Sequence, residues 1–450
     1  MTVKLEAVTR VDLGQKIGQL RALPVSLGVG ESKAVLVAYS ADFDVDPYVK
    51  MFFFPTDTLK LALITERGDL LWTRDCGPGV VPGMWFCPVF AFDLDGDGID
   101  EIWFVDNVNP AHPLDLSEYR LTRVDAATGE MTGQWPWPDH GEQASLSQTF
   151  RNFISGGLAG SDRVLFTAQG TYGQMDLQGW NPDMSQRWTT VIGKDDPGAR
   201  GSHMCAVSDL DGDGVHEIMW GERNIRLSDG VEVFCADRDV YRGHSDVAQP
   251  VLDRDSGKWY VYTCRESEQQ VSPRVALFDA RGERVWGAVD TGHMDMGWSC
   301  RLGEGGRLVS MAIRIGEKTC GPDGRHHFGM NAFVFDTLTG EPMTLPFPVY
   351  RTIPVDVNGD GRHELVYGIS GGDGTVIDAA GGELGTVGGT VALAAKFMNR
   401  PGEQMLVYHE DGRLAMWADV NADDSDAALA RFAHPMYAAN RGSNVARAGV

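Results

Sequence analysis

The stretch Leu277-Phe278-Asp279-Ala280-Arg281-Gly282-Glu283-Arg284-Val285-Trp286 is a short apolar strand, an Asp/Gly turn and a second strand ending on an aromatic residue. Asp and Gly tolerate the positive φ that a tight turn demands, so the phrase predicts a β-hairpin. It recurs at 63–72, 124–130, 227–230, 334–341, 376–383 and 408–413, and more loosely at 180–188. Eight copies in 450 residues give a period of about 56, slightly above the ~40–50 of familiar propeller blades. The expected architecture is therefore an all-β, eight-bladed β-propeller, with seven blades the alternative if 180–188 is spurious. Short apolar or alternating runs bounded by Gly, Asp, Asn or Pro fill the space between copies, as at 34–39, 102–105, 163–168 and 365–369. No Pro/Ser-rich linker interrupts the chain, so residues 1–450 are expected to form a single domain.

Lys and Arg number 39 against 63 Asp and Glu, a net charge of −24. A nucleic-acid or anionic-membrane partner needs a basic face, and this balance argues against both. An acidic excess suits a chain that binds hard cations. No apolar run reaches 18 residues, and Met1-Thr2-Val3-Lys4-Leu5-Glu6 has no signal-peptide character, so a cytoplasmic location is expected. The seven cysteines are odd in number and contain no CxxC pair, a pattern of reduced thiols. Cys205, Cys235 and Cys264 lie in apolar stretches and are expected in the core.

A second repeat is more specific. Asp93-Leu94-Asp95-Gly96-Asp97-Gly98-Ile99-Asp100-Glu101 has counterparts in Asp209-Leu210-Asp211-Gly212-Asp213-Gly214-Val215-His216-Glu217 and Asp356-Val357-Asn358-Gly359-Asp360-Gly361-Arg362-His363-Glu364. Side-chain oxygens at positions 1, 3, 5 and 9, with the carbonyl of position 7 (Ile99, Val215, Arg362), converge on one point. Hard oxygen donors in a tightly wrapped backbone predict Ca²⁺. No helix pattern flanks these loops, unlike an EF-hand; they match the calcium loops between propeller strands, and a structural role is expected.

A third pattern occurs about once per blade: Gly201-Ser202-His203-Met204, Gly243-His244-Ser245-Asp246 and Gly292-His293-Met294-Asp295. At the start of innermost strands, these imidazoles would converge on the mouth of the central channel, where polar groups form a ligand site. Arg223, Arg242 and Arg265 lie close by in sequence and are expected to face that pocket. Arg325, His326 and His327 form a further cluster.

The order of motifs from His203 through the 209–217 loop, Gly221, His244-Ser245-Asp246, Glu266, 277–286 and Asp290 resembles the family 11 polysaccharide lyases. These are bacterial rhamnogalacturonan lyases built as Ca²⁺-loaded eight-bladed propellers. The resemblance extends over roughly residues 85–380. It implies that His203, His244, Asp246 and Glu266 line a Ca²⁺-bearing active site. The chain is shorter than family members and is expected to lack their N-terminal β-sandwich.

The implied reaction is β-elimination on a uronic acid. The C5 proton is only weakly acidic, so the neighbouring carboxylate must be neutralised, by Ca²⁺ or by Arg223, Arg242 or Arg265. His293 or His327 is then the candidate base, Tyr241 the candidate acid, and Trp85 and Trp298 candidate sugar platforms. The expected partner is an acidic, uronate-containing oligosaccharide or polysaccharide, rhamnogalacturonan-like or with rhamnose–glucuronate linkages, cleaved in exo fashion. Two rival readings are a glycoside hydrolase on the same scaffold and a non-catalytic calcium-binding interaction propeller. Imidazole is an unusual ligand for a hard cation, which keeps Mn²⁺ or Zn²⁺ open for the histidine site.

Overall fold

The computed structural model describes residues 2–28, 33–141, 143–266, 271–316, 319–320, 326–327 and 329–440. Its strands form eight small antiparallel sheets of three or four strands, each one blade, arranged as a propeller, and a separate two-stranded pair, Thr319–Cys320 with His326–His327. The fifth blade shows how a blade is built. Ser245–Asp253 is innermost, followed outward by Lys258–Arg265, Val275–Asp279 and Arg284–Ala288. The opening phrase 277–286 is the outer hairpin of this blade, with Leu277 opposite Trp286. The loose copy at 180–188 is likewise a true outer hairpin, joining Met175–Trp180 to Gln186–Ile192, so eight blades hold and seven do not.

In the first, third and fifth blades, the aromatic at the end of the phrase ties the blade to its neighbour. Trp72, Trp188 and Trp286 donate their indole N–H to the carbonyls of Ala126, Leu227 and Thr337, at 2.8, 2.7 and 2.8 Å. Each carbonyl belongs to the outer-hairpin region of the next blade. The indole thus fills the inter-blade wedge and satisfies its own polar atom there.

One repeat has a different place from the expected one. Residues 408–413 join the second and third strands of the last blade, Gln404–Tyr408 and Arg413–Asp419. The outer strand of that blade is Leu5–Asp12, from the start of the chain, paired antiparallel to Arg413–Asp419. The ring is therefore closed by hydrogen bonds between the two ends of the chain.

All three aspartate loops connect the innermost to the second strand, in the second, fourth and seventh blades. They share one end of the channel, opposite to the end where innermost strands begin. Two short helices, Asp426–Phe432 and Pro435–Asn440, lie on the loop side. Asn440 exchanges two hydrogen bonds with the backbone of Val207, at 2.9 and 2.8 Å. The Tyr437 hydroxyl accepts from Lys396 N and donates to Glu403, both at 2.7 Å. Arg431, fully buried, donates to His363 Nε2 and pairs with Glu403 at 2.6 Å. Buried cations are tolerated when paired in this way. Among the described residues, no helix is long and apolar enough to cross a membrane.

Candidate active site

The three histidine phrases stand at the starts of adjacent innermost strands. His203 precedes Cys205–Ser208, His244 precedes Ser245–Asp253, and His293 opens His293–Leu302. Backbone bonds lock the first two entries together: His203 N donates to Ser245 O at 3.0 Å and Arg200 N to Gly243 O at 2.7 Å. The imidazoles of His203 and His244 lie 5.0 Å apart. Glu266, just past the strand Lys258–Arg265, reaches between them. Its carboxylate contacts His244 Nε2 and His293 Nε2, with His203 Nε2 at 3.8 Å. Asp246 Oδ1 is 3.0 Å from His203 Nδ1 and 3.8 Å from His244 Nε2.

Ligand atoms of His203, His244, Asp246 and Glu266 all lie within 4.8 Å of one another. Two imidazoles and two carboxylates form a mixed N/O donor set that fits a divalent cation. Burial would raise the Glu266 carboxyl, but His244 opposite it, with His293 and His203, holds it well below the ordinary range.

Two residues not singled out from sequence complete the cluster. Tyr172 sits in the loop between the second and third strands of the third blade, with φ 75°. Its hydroxyl is 3.0 Å from His203 Nε2, and its ring lies edge-on to His244 at 4.2 Å. Burial pushes the phenol well above 10, while the nearby Arg151 guanidinium pulls it back. Arg151 is buried, lies 4.8 Å over Trp85 and 5.4 Å over Tyr172, and pairs with Asp46 at 3.3 Å. Among the described residues, its Nε and Nη1 have no hydrogen-bond partner. The Gly170-Thr171-Tyr172-Gly173 turn was the available sequence signal, but nothing in its spacing links it to the histidines.

Several expected site residues lie elsewhere. Arg265 is completely buried behind the cluster: Nε donates to Glu222 at 2.9 Å, Nη2 to Asp237 at 2.8 Å, and the guanidinium lies 4.1 Å over the Tyr241 ring. Glu222 also accepts from the Ser245 hydroxyl at 2.8 Å, so this network fixes the backbone that carries His244 and Asp246. Tyr241, also fully buried, donates its hydroxyl to the His244 carbonyl, a supporting bond that leaves it no access to substrate. Arg223 is buried against Glu232 and the Ala199 carbonyl. Arg242 is exposed. His327 is in the short strand His326–His327, whose side chains lie outside the described residues. Trp85 and Trp298 are 7% and 5% exposed, packed against His203 and bonded to Thr352 respectively, so neither offers an open face to a sugar.

The aspartate loops adopt one geometry. Asp93 accepts from Gly96 N and Gly98 N at 2.8 and 3.1 Å, and Asp356 from Gly359 N and Gly361 N at 2.9 and 3.0 Å. Gly96, Gly98, Gly212, Gly214, Gly359 and Gly361 all have positive φ, which explains glycine at positions 4 and 6. Asp93, Asp95 and Asp97 bring their oxygens within 4.8 Å, as do Asp209, Asp211 and Asp213, and both sets fit a hard cation. Burial, with neighbouring acids adding to it, lifts Glu101 to about 7 and Glu217 to about 8. The protein itself meets part of the negative charge in two of the loops: Arg163 lies 3.2 Å from Asp93 in the first, while in the third Arg362 pairs with Asp360 at 2.5 Å and Arg431 lies 3.8 Å from Asp356.

No family model matches the chain. The rhamnogalacturonan exolyase YesX of Bacillus subtilis (strain 168) is 26% identical over 255 residues, covering 49% of this chain and 40% of that protein. The rhamnogalacturonan endolyase YesW of the same organism is 25% identical over 258 residues, with the same coverage. The matched region thus spans about two fifths of the length of these curated relatives. The crystal structure of exotype YesX superposes with a TM-score of 0.74 at 17% identity, covering 98% of this chain and 81% of that one. The crystal structure of YesW gives 0.73 at 17%, covering 97% and 80%. In sequence motifs and in propeller fold alike, this chain is similar to the rhamnogalacturonan lyases of polysaccharide lyase family 11.

Proposed function

We propose that the chain is a polysaccharide lyase that cleaves a uronate-containing, rhamnogalacturonan-like glycan by β-elimination at the histidine end of the channel. The observation that carries this reading is the convergence of His203, His244, Asp246, Glu266 and Tyr172 at one mouth. Its similarity to two rhamnogalacturonan lyases supports the substrate class.

His244, Asp246 and Glu266 would hold a divalent cation in this reading. When bound there, a divalent ion supplies the positive charge that neutralises the substrate carboxylate and acidifies C5–H. His203 is the proton acceptor. Asp246 at 3.0 Å orients its Nδ1, which leaves Nε2 directed at the Tyr172 hydroxyl. The C5 proton passes to His203 Nε2, its electron pair forms the C4–C5 double bond, and the C4–O bond breaks. Tyr172, kept neutral by burial, gives its proton to the leaving oxygen. Proton return from His203 to Tyr172 across their 3.0 Å contact restores both groups.

The test is ultraviolet absorbance of the unsaturated product on rhamnogalacturonan fragments, ulvan and rhamnosyl-glucuronate oligosaccharides, with added Ca²⁺ or with chelator. A cation-dependent rise on one of them is expected. Small products from the outset mark exo action, and a broad ladder marks endo action. New reducing ends without absorbance would make the protein a hydrolase. No reaction on any glycan would overturn the lyase reading.

A further inference from the structure

Glu266 lies between two copies of one motif. Gly243-His244-Ser245-Asp246 opens the fifth blade, and Gly292-His293-Met294-Asp295 opens the sixth. In both innermost strands the register slips at the aspartate, between Ser245 and Val247 and between Met294 and Met296. A bulge there takes the aspartate out of regular pairing and re-aims its side chain. The fourth blade has the histidine without the aspartate, since Cys205 stands two residues after His203.

Glu266 presents one oxygen to each motif: Oε2 contacts His244 Nε2, and Oε1 contacts His293 Nε2. Ligand atoms of Glu266, His293 and Asp295 lie within 4.8 Å of one another, as do those of the His203, His244, Asp246 and Glu266 group. His293 is 31% exposed at its side chain, so this second group opens toward the mouth.

We propose that Glu266 bridges two divalent cations, the second held by His293 and Asp295 on the sixth blade. The inference rests on the reading above in one respect only, that the first group holds a cation. A carboxylate with one oxygen in each donor set is the arrangement found where two metals sit about 3.5–4 Å apart. Each set supplies one imidazole and two carboxylates, counting the shared one, and so takes an N/O-preferring ion such as Mn²⁺ as well as Ca²⁺. A second cation adds positive charge beside Asp246, Glu266 and Asp295, where an anionic glycan would otherwise meet three carboxylates. It also gives His293 a different job from the base first expected of it, and leaves His203 as the imidazole that moves the proton.

Crystals of the full chain soaked in MnCl₂, measured at the manganese absorption edge, test this directly. Two anomalous peaks are expected at the mouth, one beside each Glu266 oxygen, about 3.5–4 Å apart. Peaks at the aspartate loops fall at the other end of the channel and cannot be confused with them. Asp295→Asn should remove the sixth-blade peak and keep the other. A single peak between His244 and Asp246 overturns the second site and leaves the proposed function standing. No peak at either position overturns the cation reading of the whole site. Electron paramagnetic resonance of the Mn²⁺-loaded native protein is an independent readout: a spin-coupled pair is expected, and its absence at saturating Mn²⁺ overturns the proposal.

Discussion

Tyr172 is held in a conformation that costs a tyrosine about 1–3 kcal/mol, and the fold keeps it there through several contacts. Its backbone N–H donates to the Arg200 carbonyl at 3.2 Å, and its ring lies between Arg151 and His244. Tyr172→Phe keeps this packing and loses only the hydroxyl that contacts His203. We expect kcat to fall by about 10²–10⁴, with glycan affinity by calorimetry and the thermal midpoint nearly unchanged. Tyr241→Phe should do the reverse, costing about 1 kcal/mol of stability while leaving turnover intact. An equal loss of turnover in both would remove Tyr172 from the reaction. Tyr241 lies three residues from His244 along the chain. Tyr172 is 31 residues from its partner His203, and it is brought there by the step from one blade to the next. Proximity along the chain favoured the supporting residue over the reacting one. The same happened with Arg265, whose side chain turns into the blade while its neighbour Glu266 reaches into the channel.

The aspartate loops were legible because all their donors fall within nine consecutive residues, so spacing alone carries the geometry. The histidine phrases were legible for a related reason, as repetition once per blade places them at equivalent positions around the axis. Repetition misled at 408–413, where a turn with the right residues joins the second and third strands of its blade. Turn chemistry reports a hairpin but not which hairpin. Chelation probes the loop elements. If Ca²⁺ holds the first two loops, each site contributes about 2.7 kcal/mol at a concentration one hundred times its Kd. EDTA should then lower the thermal midpoint by several degrees, and Asp95→Ala with Asp211→Ala should abolish most of that effect. An unchanged midpoint with EDTA would exclude structural Ca²⁺ at these loops.

At the scale of the whole molecule, the seam between Leu5–Asp12 and Arg413–Asp419 and the two terminal helices are long-range features that local sequence could not reveal. Their contact with the seventh blade makes a pH prediction. His363 is buried, its Nε2 accepts from Arg431 at 2.5 Å, and its Nδ1 lies 3.2 Å from the Arg301 carbonyl, so the ring is neutral with the proton on Nδ1. Burial first, and Arg431 second, hold its pKa well below 6.5. The unfolded imidazole takes a proton as pH drops through about 6.5 and the folded one does not, so stability falls with acid. The slope from this residue approaches about 1.4 kcal/mol per pH unit below 6.5. Urea denaturation between pH 7.5 and 5 should show that slope, and His363→Gln should show less of it. Identical slopes would mean that the histidine titrates freely.

The terminal helices have a mechanical consequence. Asn440 is bonded to the fourth blade, Arg431 to the seventh and Tyr437 to the eighth, so the segment spans the ring as a cross-brace. A string of similar repeats held only to neighbours melts in stages from its weakest joint. Here the joint where the ends meet and the blades across from it are tied to one short segment, so releasing either loads the other. Unfolding should therefore be a single cooperative event, and a force applied to the two ends should meet its main resistance at the brace rather than at the seam.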